Sequence, residues 1–432
     1  SPVARIRWRG LLVRHLLNMT SGASINELAS VTQTDWVRGF LDSVPQFEPG
    51  ESFQYNSMNS YMLSAIICKK TGGTLTEFLQ ARLFGPMGIR DFHWETCPLG
   101  IEKGGWGLYL KQEDMAKLGL LVLQRGKWDG RALVPEDYIR EMSRKQSEPP
   151  AEMSDYGYGW QCWLWARPGS ILFNGLFGQN ILVIPDLDMV IASNAGGDRM
   201  FGKSGYLSLC ETYFGAGVKL PDTCPPDPRA YRRLCRAVRQ LEQGAPPEKG
   251  FAGFLAQRRQ RKLNEARSAE VAGRRYVFEP GAARLLPLFV QLLENNYTTG
   301  ISGVRFSCEA EKLYVTVEEG EQQNTLEVGF QAAVRGLWTQ NEDGVPVLKL
   351  DIAFLEQAST RHIKLFFDAA DTVRMRLSET PSKQALQDGA AVVMGASRLL
   401  GALSGAVDGK GRMESWLTAI AEPELIGRLE KA

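Results

Sequence analysis

From Gly273 onward apolar residues recur at every second position, and no other feature of the sequence restricts the fold as much. Tyr276 and Phe278, Val304 and Phe306, Leu313, Val315 and Val317, then Leu348, Leu350 and Ile352 mark successive half-buried strands, because alternate side chains of a strand point to opposite faces. Ile363, Leu365 and Phe367, followed by Val373, Met375 and Leu377, continue the pattern. A helix predicted from about Ala282 to Glu294 interrupts it, and a Gly/Ala-rich run closes the chain. Residues 273–385 are therefore expected to form an antiparallel β domain, a sheet or partly closed barrel, and residues 386–432 a helical tail.

A boundary precedes this domain. Pro221-Asp222-Thr223-Cys224-Pro225-Pro226-Asp227-Pro228 can continue neither helix nor strand. Residues 221–272 then read as a proline-rich and basic helical linker, with basic runs over Arg229 to Leu241 and Gln257 to Arg267. Acidic residues nearby and the lack of a stacking aromatic array favour a solvated linker over RNA binding.

Residues 1–220 mix helical and strand periodicity. Helices are predicted from Asn26 to Leu41, Asn59 to Lys70, Thr76 to Phe84 and Gln112 to Gln124, and strands over Tyr156 to Trp165, Ser170 to Asn174, Asn180 to Ile184 and Met189 to Ser193. The last two are joined by the Pro185-Asp186-Leu187-Asp188 turn. Antiparallel strands following helices give an α+β class, an antiparallel sheet flanked by helices.

Composition narrows the function classes. With 432 residues, two domains are expected. A net charge of +1 gives no reason for a nucleic-acid partner, and no apolar run approaches a membrane span. Seven cysteines are scattered and never spaced as Cys-x-x-Cys, which speaks against a disulfide framework or zinc site and favours free thiols in a reducing compartment. Three distant histidines supply little for a metal centre or a Ser-His-Asp triad. Neither a metal nor an organic cofactor is expected.

The stretch with most chemical content is Phe47-Glu48-Pro49-Gly50-Glu51-Ser52-Phe53-Gln54-Tyr55-Asn56-Ser57. It sets Tyr55 just ahead of a helix, close to backbone N–H groups without intrahelical partners. A free phenol has a pKa of about 10 and needs a cationic neighbour to act as a base at neutral pH. Ser57 is placed to relay or hold that proton. The alternative is that Tyr55 is a half-buried aromatic and Ser57 an N-cap.

The flanking sequence carries a resemblance. His15-Leu16-Leu17-Asn18-Met19-Thr20-Ser21-Gly22, Tyr55-Asn56-Ser57, Leu83-Phe84-Gly85-Pro86-Met87-Gly88, Gly104-Gly105-Trp106-Gly107 and Tyr156-Gly157-Tyr158-Gly159-Trp160 lead to Gly175-Leu176-Phe177-Gly178-Gln179 before a hydrophobic strand. In that order they resemble the serine β-lactamase and penicillin-binding-protein superfamily, in its class C-like esterase and carboxypeptidase branch. The resemblance implies an acyl-enzyme mechanism with Tyr55 and Ser57 in the catalytic group, and an oxyanion-side strand marked by Asn174, Gly175 and Gln179. Trp106 and Trp160 would line the cleft. Its substrate would be a small-molecule or peptide acyl compound.

Two departures matter. Where relatives carry Lys-Thr-Gly or His-Thr-Gly, the chain has Phe173-Asn174-Gly175, which removes a partner for a substrate carboxylate and favours a neutral ester or amide. No serine is followed three places later by lysine. The nucleophile and its lysine are thus missing, which implies either a chain truncated before that motif, inactive by itself, or a degenerate relative that binds a peptide or cell-wall fragment without catalysis. Truncation is the expectation, since the family's Ser-x-x-Lys lies further upstream than His15 allows. Without the lysine, the Tyr55 phenol should rise in pKa.

Overall fold

Two short antiparallel pairs, β1 (Phe92–Trp94) with β2 (Leu108–Leu110) and β3 (Lys127–Trp128) with β4 (Arg131–Ala132), precede the sheet that organises the first part of the chain. That sheet runs β5 (Trp163–Leu164), β6 (Ile171–Asn174), β7 (Asn180–Ile184), β8 (Met189–Ser193), every neighbour antiparallel. The computed structural model describes residues 7–30, 33–197, 205–219, 225–242, 251–279, 281–288, 290–291, 298–310, 312–329, 334–354, 356–385, 418–419 and 421–430. These fall into two units that part after Val218.

In the first unit β7 is buried along its whole length because helices cover both faces of the sheet. Ile171, Ile181 and Val183 pack on one side against Ile139 and Met142 of the Glu136–Met142 helix and Met115, Leu118 and Val122 of the Gln112–Leu123 helix. Gly119 lets that second helix lie close: a Cβ there would fall 2.5 Å from Val190 Cγ1. Leu172, Leu182 and Ile184 face the other way, onto Leu207 and Cys210 of the Gly205–Phe214 helix. The helix Ser57–Thr71 belongs to a separate cluster, in which Met58, Tyr61 and Met62 pack with Trp8, Leu16, Ile25, Trp36 and Phe40.

Local chemistry shortens some predicted elements. The strand expected over Tyr156 to Trp165 is reduced to Trp163–Leu164, because Gln161 turns the chain at φ 57°. The helix expected from Asn26 to Leu41 is two, Glu27–Ser30 and Trp36–Asp42, the second begun by Asp35, whose Oδ1 accepts from Arg38 N at 2.9 Å.

The second unit is a nine-stranded antiparallel sheet in the order β12-β11-β10-β9-β17-β16-β15-β14-β13. Its strands are β9 (Arg275–Phe278), β10 (Gly303–Glu309), β11 (Lys312–Glu319), β12 (Gln322–Val328), β13 (Val334–Gln340), β14 (Pro346–Phe354), β15 (Ser359–Ala369), β16 (Thr372–Thr380) and β17 (Glu424–Leu429). A bridge between Gly329 and Arg335 brings the two edges together, so the sheet nearly closes into a barrel filled by alternating side chains such as Val304, Phe306, Val315, Val317, Leu348 and Leu365. The helix Phe251–Val271 packs on β13 and β10, with Leu263 against the barrel core. Its Gln260 Nε2 donates to Trp338 O at 2.8 Å and its Asn264 Oδ1 accepts from Trp338 N at 3.2 Å, meeting the backbone groups that an open edge leaves unpaired. Deep in the same unit, fully buried Arg361 pairs with Glu379 at 2.8 Å and also donates to Leu285 O and Leu286 O.

Two predictions for this half are corrected. The end of the expected helical tail is a strand: β17 sits between β9 and β16, while residues 386–417 lie outside the described residues. Its period-two signal is hidden because Gly427 occupies the inward position, where a Cβ would lie 2.8 Å from the Phe278 ring. The helix expected from Ala282 begins only at Leu288, because Leu285 N is drawn to Glu319 Oε1 at 3.0 Å and Pro287 follows; residues 292–297 lie outside the described residues. Among the described residues no helix is long and apolar enough to cross a membrane.

Candidate active site

The helix that follows Tyr55 begins with Asn56. Asn56 is the N-cap, its Oδ1 accepting from Met58 N at 2.9 Å, and its amide donates to Ala23 O at 3.0 Å and Ile25 O at 2.7 Å. Ser57 is therefore not the cap but the first helical residue, and its backbone N–H donates to Glu27 Oε1 at 2.8 Å. A carboxylate thus occupies the positive end of the helix, where the macrodipole favours it. Tyr55 is held one residue outside.

The Tyr55 ring is fixed against the sheet. It stacks on Trp163 with centroids 5.5 Å apart and meets Tyr158 edge-on at 6.3 Å, and Phe53 completes the group by contacting both. Trp163 pairs across the ladder with Leu172. From Leu172 three residues lead to Gly175, about 10 Å along β6 at strand rise. Gln161 ties the same end of the sheet to the Tyr55 helix, its Oε1 accepting from Ser60 Oγ and its Nε2 donating to Leu16 O and Leu17 O. Tyr55 thus lies against β5, the edge strand that pairs with β6, and Asn174 is the last residue of β6.

Burial first, and the Glu27 carboxylate second, push the Tyr55 phenol up to about 12. The side chain is nevertheless only half-buried. At neutral pH it is a protonated phenol that can donate a hydrogen bond, and the charge acting on it is of the sign that disfavours a tyrosinate. Tyr158, fully enclosed, is raised further by burial and by Tyr55 itself.

Asn174 and Gly175 end β6 opposite the start of β7, where Asn174 pairs with Asn180. Gly175 is exposed, and its N–H donates to Gln179 O at 2.6 Å, so that group closes a hairpin. The glycine is required by space, since a Cβ would lie 2.9 Å from Gln179 Cβ. Gln179 sends its side-chain amide to Ala195 O. Phe173 turns its ring into the helix-covered core with Ile139 and Met142.

The two tryptophans are not brought together. Trp106 is half-buried, stacks on Trp36 at 5.5 Å and carries the Lys103 ammonium 5.7 Å from its ring, and its loop presses on the first turn of the Tyr55 helix. A Cβ on Gly105 would fall 2.7 Å from Ser57 Cβ, and one on Gly104 would fall 2.6 Å from Ser60 O, so the glycine pair permits close approach. Trp160 packs elsewhere, against Tyr138 at 5.4 Å and the Ile139 and Met142 core. Glu27, Gln161 and Trp163 shape the surroundings of Tyr55 without belonging to a named motif, whereas Tyr158 stands in the Tyr156-Gly157-Tyr158-Gly159-Trp160 stretch. The aromatic richness of residues 156–165 was the one sequence signal for Trp163; nothing in the spacing marked Glu27.

Comparison with known proteins places this site in context. A family model described as Beta-lactamase matches residues 2–203. Penicillin-binding protein 4* of Bacillus subtilis (strain 168) is 21% identical over 268 residues, covering 50% of this chain and 58% of that protein. Among solved structures, an octameric penicillin-binding protein homologue from Pyrococcus abyssi is 16% identical with a TM-score of 0.34, covering 86% of this chain and 77% of that one. A D-amino acid amidase from Ochrobactrum anthropi SV3 is 17% identical with a TM-score of 0.32, covering 46% and 75%.

Proposed function

Residues 2–203 belong to the β-lactamase-like serine hydrolase superfamily, and on that premise we propose that they form the tyrosine side of an acyl-transfer site for a neutral ester or amide. Tyr55 is the proton-transfer partner and Ser57 its neighbour on the helix. The Asn174-Gly175 strand end is the oxyanion side, served by N–H groups beyond Gly175, whose own is committed to Gln179. Gln179 stands at the cleft mouth, with Trp106 as a wall; the packing of Trp160 with Tyr138 gives it no such role.

The observation that carries this reading is the Tyr55 phenol, half-buried beside a helix N-terminus and stacked on a strand that pairs with β6. Its raised pKa supports a site without a cation beside the phenol. To be half-ionised at pH 7, a phenol of about 12 must be lowered by about five units, worth about 7 kcal/mol, which only a close cation in a dry site can supply. The superfamily's lysine has that task, and no Ser-x-x-Lys occurs in these 432 residues. These residues alone are accordingly inactive, and an acyl-enzyme forms only where a nucleophile and lysine are supplied in addition. Phe173, turned into the core, offers no partner to a substrate carboxylate, which favours an uncharged acyl group.

The test is hydrolysis of a nitrophenyl ester by the purified chain and by a chain extended upstream with a Ser-x-x-Lys segment. The first should show no turnover and the second turnover lowered at least about 100-fold by Tyr55→Phe. Rapid turnover by the chain alone, abolished by Tyr55→Phe, would refute the proposal. A second reading, a non-catalytic binder of a peptide or cell-wall fragment, is favoured by the protonated phenol and the anionic Glu27; it predicts no fluorophosphonate labelling of the extended chain.

A further inference from the structure

The helix Pro228–Glu242 starts without help from the rest of the fold. Asp227 Oδ1 accepts from Arg229 N and Ala230 N, both at 2.9 Å, and Pro228 takes the first helical position. From Arg229 to Arg239 its side chains are then sorted by type. At 100° per residue, Arg229, Arg232, Arg233, Arg236 and Arg239 fall within an arc of about 120°. Ala230, Tyr231, Leu234, Cys235, Ala237 and Val238 fill the opposite arc of about 160°. No acidic residue lies between Arg229 and Arg239.

Among the described residues nothing covers the apolar arc. Tyr231 is 68% exposed, Leu234 60% and Val238 44%, and the five arginines are exposed as well. These bulky groups lie along one line of the helix, about 10 Å long. Such a stripe in water is unfavourable unless something buries it. A seam between protein helices is typically narrow and flanked by charges of both signs. Here the arc is broad and every charge between Arg229 and Arg239 is positive, which fits an extended surface of a single negative sign.

We propose that this helix lies in the plane of an anionic lipid bilayer. The Tyr231, Leu234 and Val238 stripe sinks to the boundary between headgroups and acyl chains, as in-plane amphipathic helices do. Arg232 and Arg239 border the stripe on one side and Arg233 on the other, long enough to lay their methylenes along the lipid and keep the guanidinium among phosphates. With 15 residues and arginines throughout, the helix lies on the bilayer and does not span it.

The experiment is co-sedimentation of the full chain with phosphatidylcholine vesicles and with vesicles containing about 30% phosphatidylserine, a strongly anionic surface. Binding to the anionic vesicles is expected to be at least about ten-fold stronger than to neutral ones and to weaken several-fold when salt is raised to about 0.5 M. Leu234→Asp with Val238→Asp, and separately Arg232→Gln with Arg236→Gln and Arg239→Gln, should each lower it about ten-fold or more with the thermal midpoint unmoved. Hydrogen exchange over residues 229–239 should slow only when anionic vesicles are present. No binding to either vesicle, equal binding to both, or retention by the Asp variant would overturn the proposal. So would a dimer lost in the Asp variant, or protection of the stripe without lipid, since another protein surface would then be its partner.

Discussion

Replacing Glu27 with glutamine separates the two causes that hold the Tyr55 phenol near 12. The ordinary value is about 10, so the displacement is about two units, or roughly 2.7 kcal/mol in favour of the protonated form. Burial is the larger cause and the Glu27 charge the smaller, so Glu27→Gln should return less than half of the displacement, under about one unit or ~1.4 kcal/mol. Glutamine keeps an oxygen for the Ser57 N–H, which now donates to Oε1 at 2.8 Å, so the helix start should survive. The assay is an absorbance titration in the tyrosinate band, and because the chain has 12 tyrosines, Tyr55 is isolated as the difference between each protein and its Tyr55→Phe counterpart. The linkage has a definite sign. The folded value lies above the unfolded one, so the contribution to stability is fully present below pH of about 10 and is lost as pH rises from there through about 12. Stability of the wild type should therefore fall more steeply across that window than stability of Tyr55→Phe. A wild-type Tyr55 that titrates at or below 10, or a Glu27→Gln change that leaves it unmoved, would refute the electrostatic account of the site.

Other consequences follow from single contacts. Asn56→Ala removes the cap of the Tyr55 helix and strands the carbonyls of Ala23 and Ile25; a loss of about 2–4 kcal/mol is expected by urea denaturation, and one under about 0.5 would contradict the role given to Asn56. Gly105→Ala places a methyl group 2.7 Å from Ser57 Cβ and Ser57 O; the thermal midpoint should drop with a cost of about 1–3 kcal/mol, and an unchanged midpoint would show that the Trp106 loop does not rest on that turn. In the β unit, burial pushes Glu379 up and opposes the charge on Arg361 even though the two are paired. Arg361→Met alone should cost about 3–5 kcal/mol by leaving a buried carboxyl behind, whereas Arg361→Met with Glu379→Leu should recover much of it, as two denaturation curves would show.

Much of the architecture was legible because its physics is local. Val304 and Phe306, or Val315 and Val317, announce a strand whose one face is buried wherever its partners come from. The α+β class, the β7–β8 hairpin around Pro185, and the helix after Tyr55 rest on the same kind of signal. Sequence also located the phenol and the missing Ser-x-x-Lys, since both are matters of order along the chain.

Tertiary structure decided what lies around these groups. Glu27 reaches Ser57 from 30 residues away, and no spacing rule tells that a carboxylate rather than a cation will meet the phenol. β17 escaped notice because its inward residue is Gly427, chosen for the room that Phe278 leaves and not for hydrophobicity. Gly105 and Gly175 stand in the sequence as glycines of motifs, and the neighbours that each must fit, Ser57 and Gln179, come from the tertiary structure. Trp106 and Trp160 are equivalent as aromatics in a motif, and only packing sends one to the helix that follows Tyr55 and the other to Tyr138. Periodicity records which side of an element avoids water, whereas the identity of the group across the gap depends on how distant segments meet.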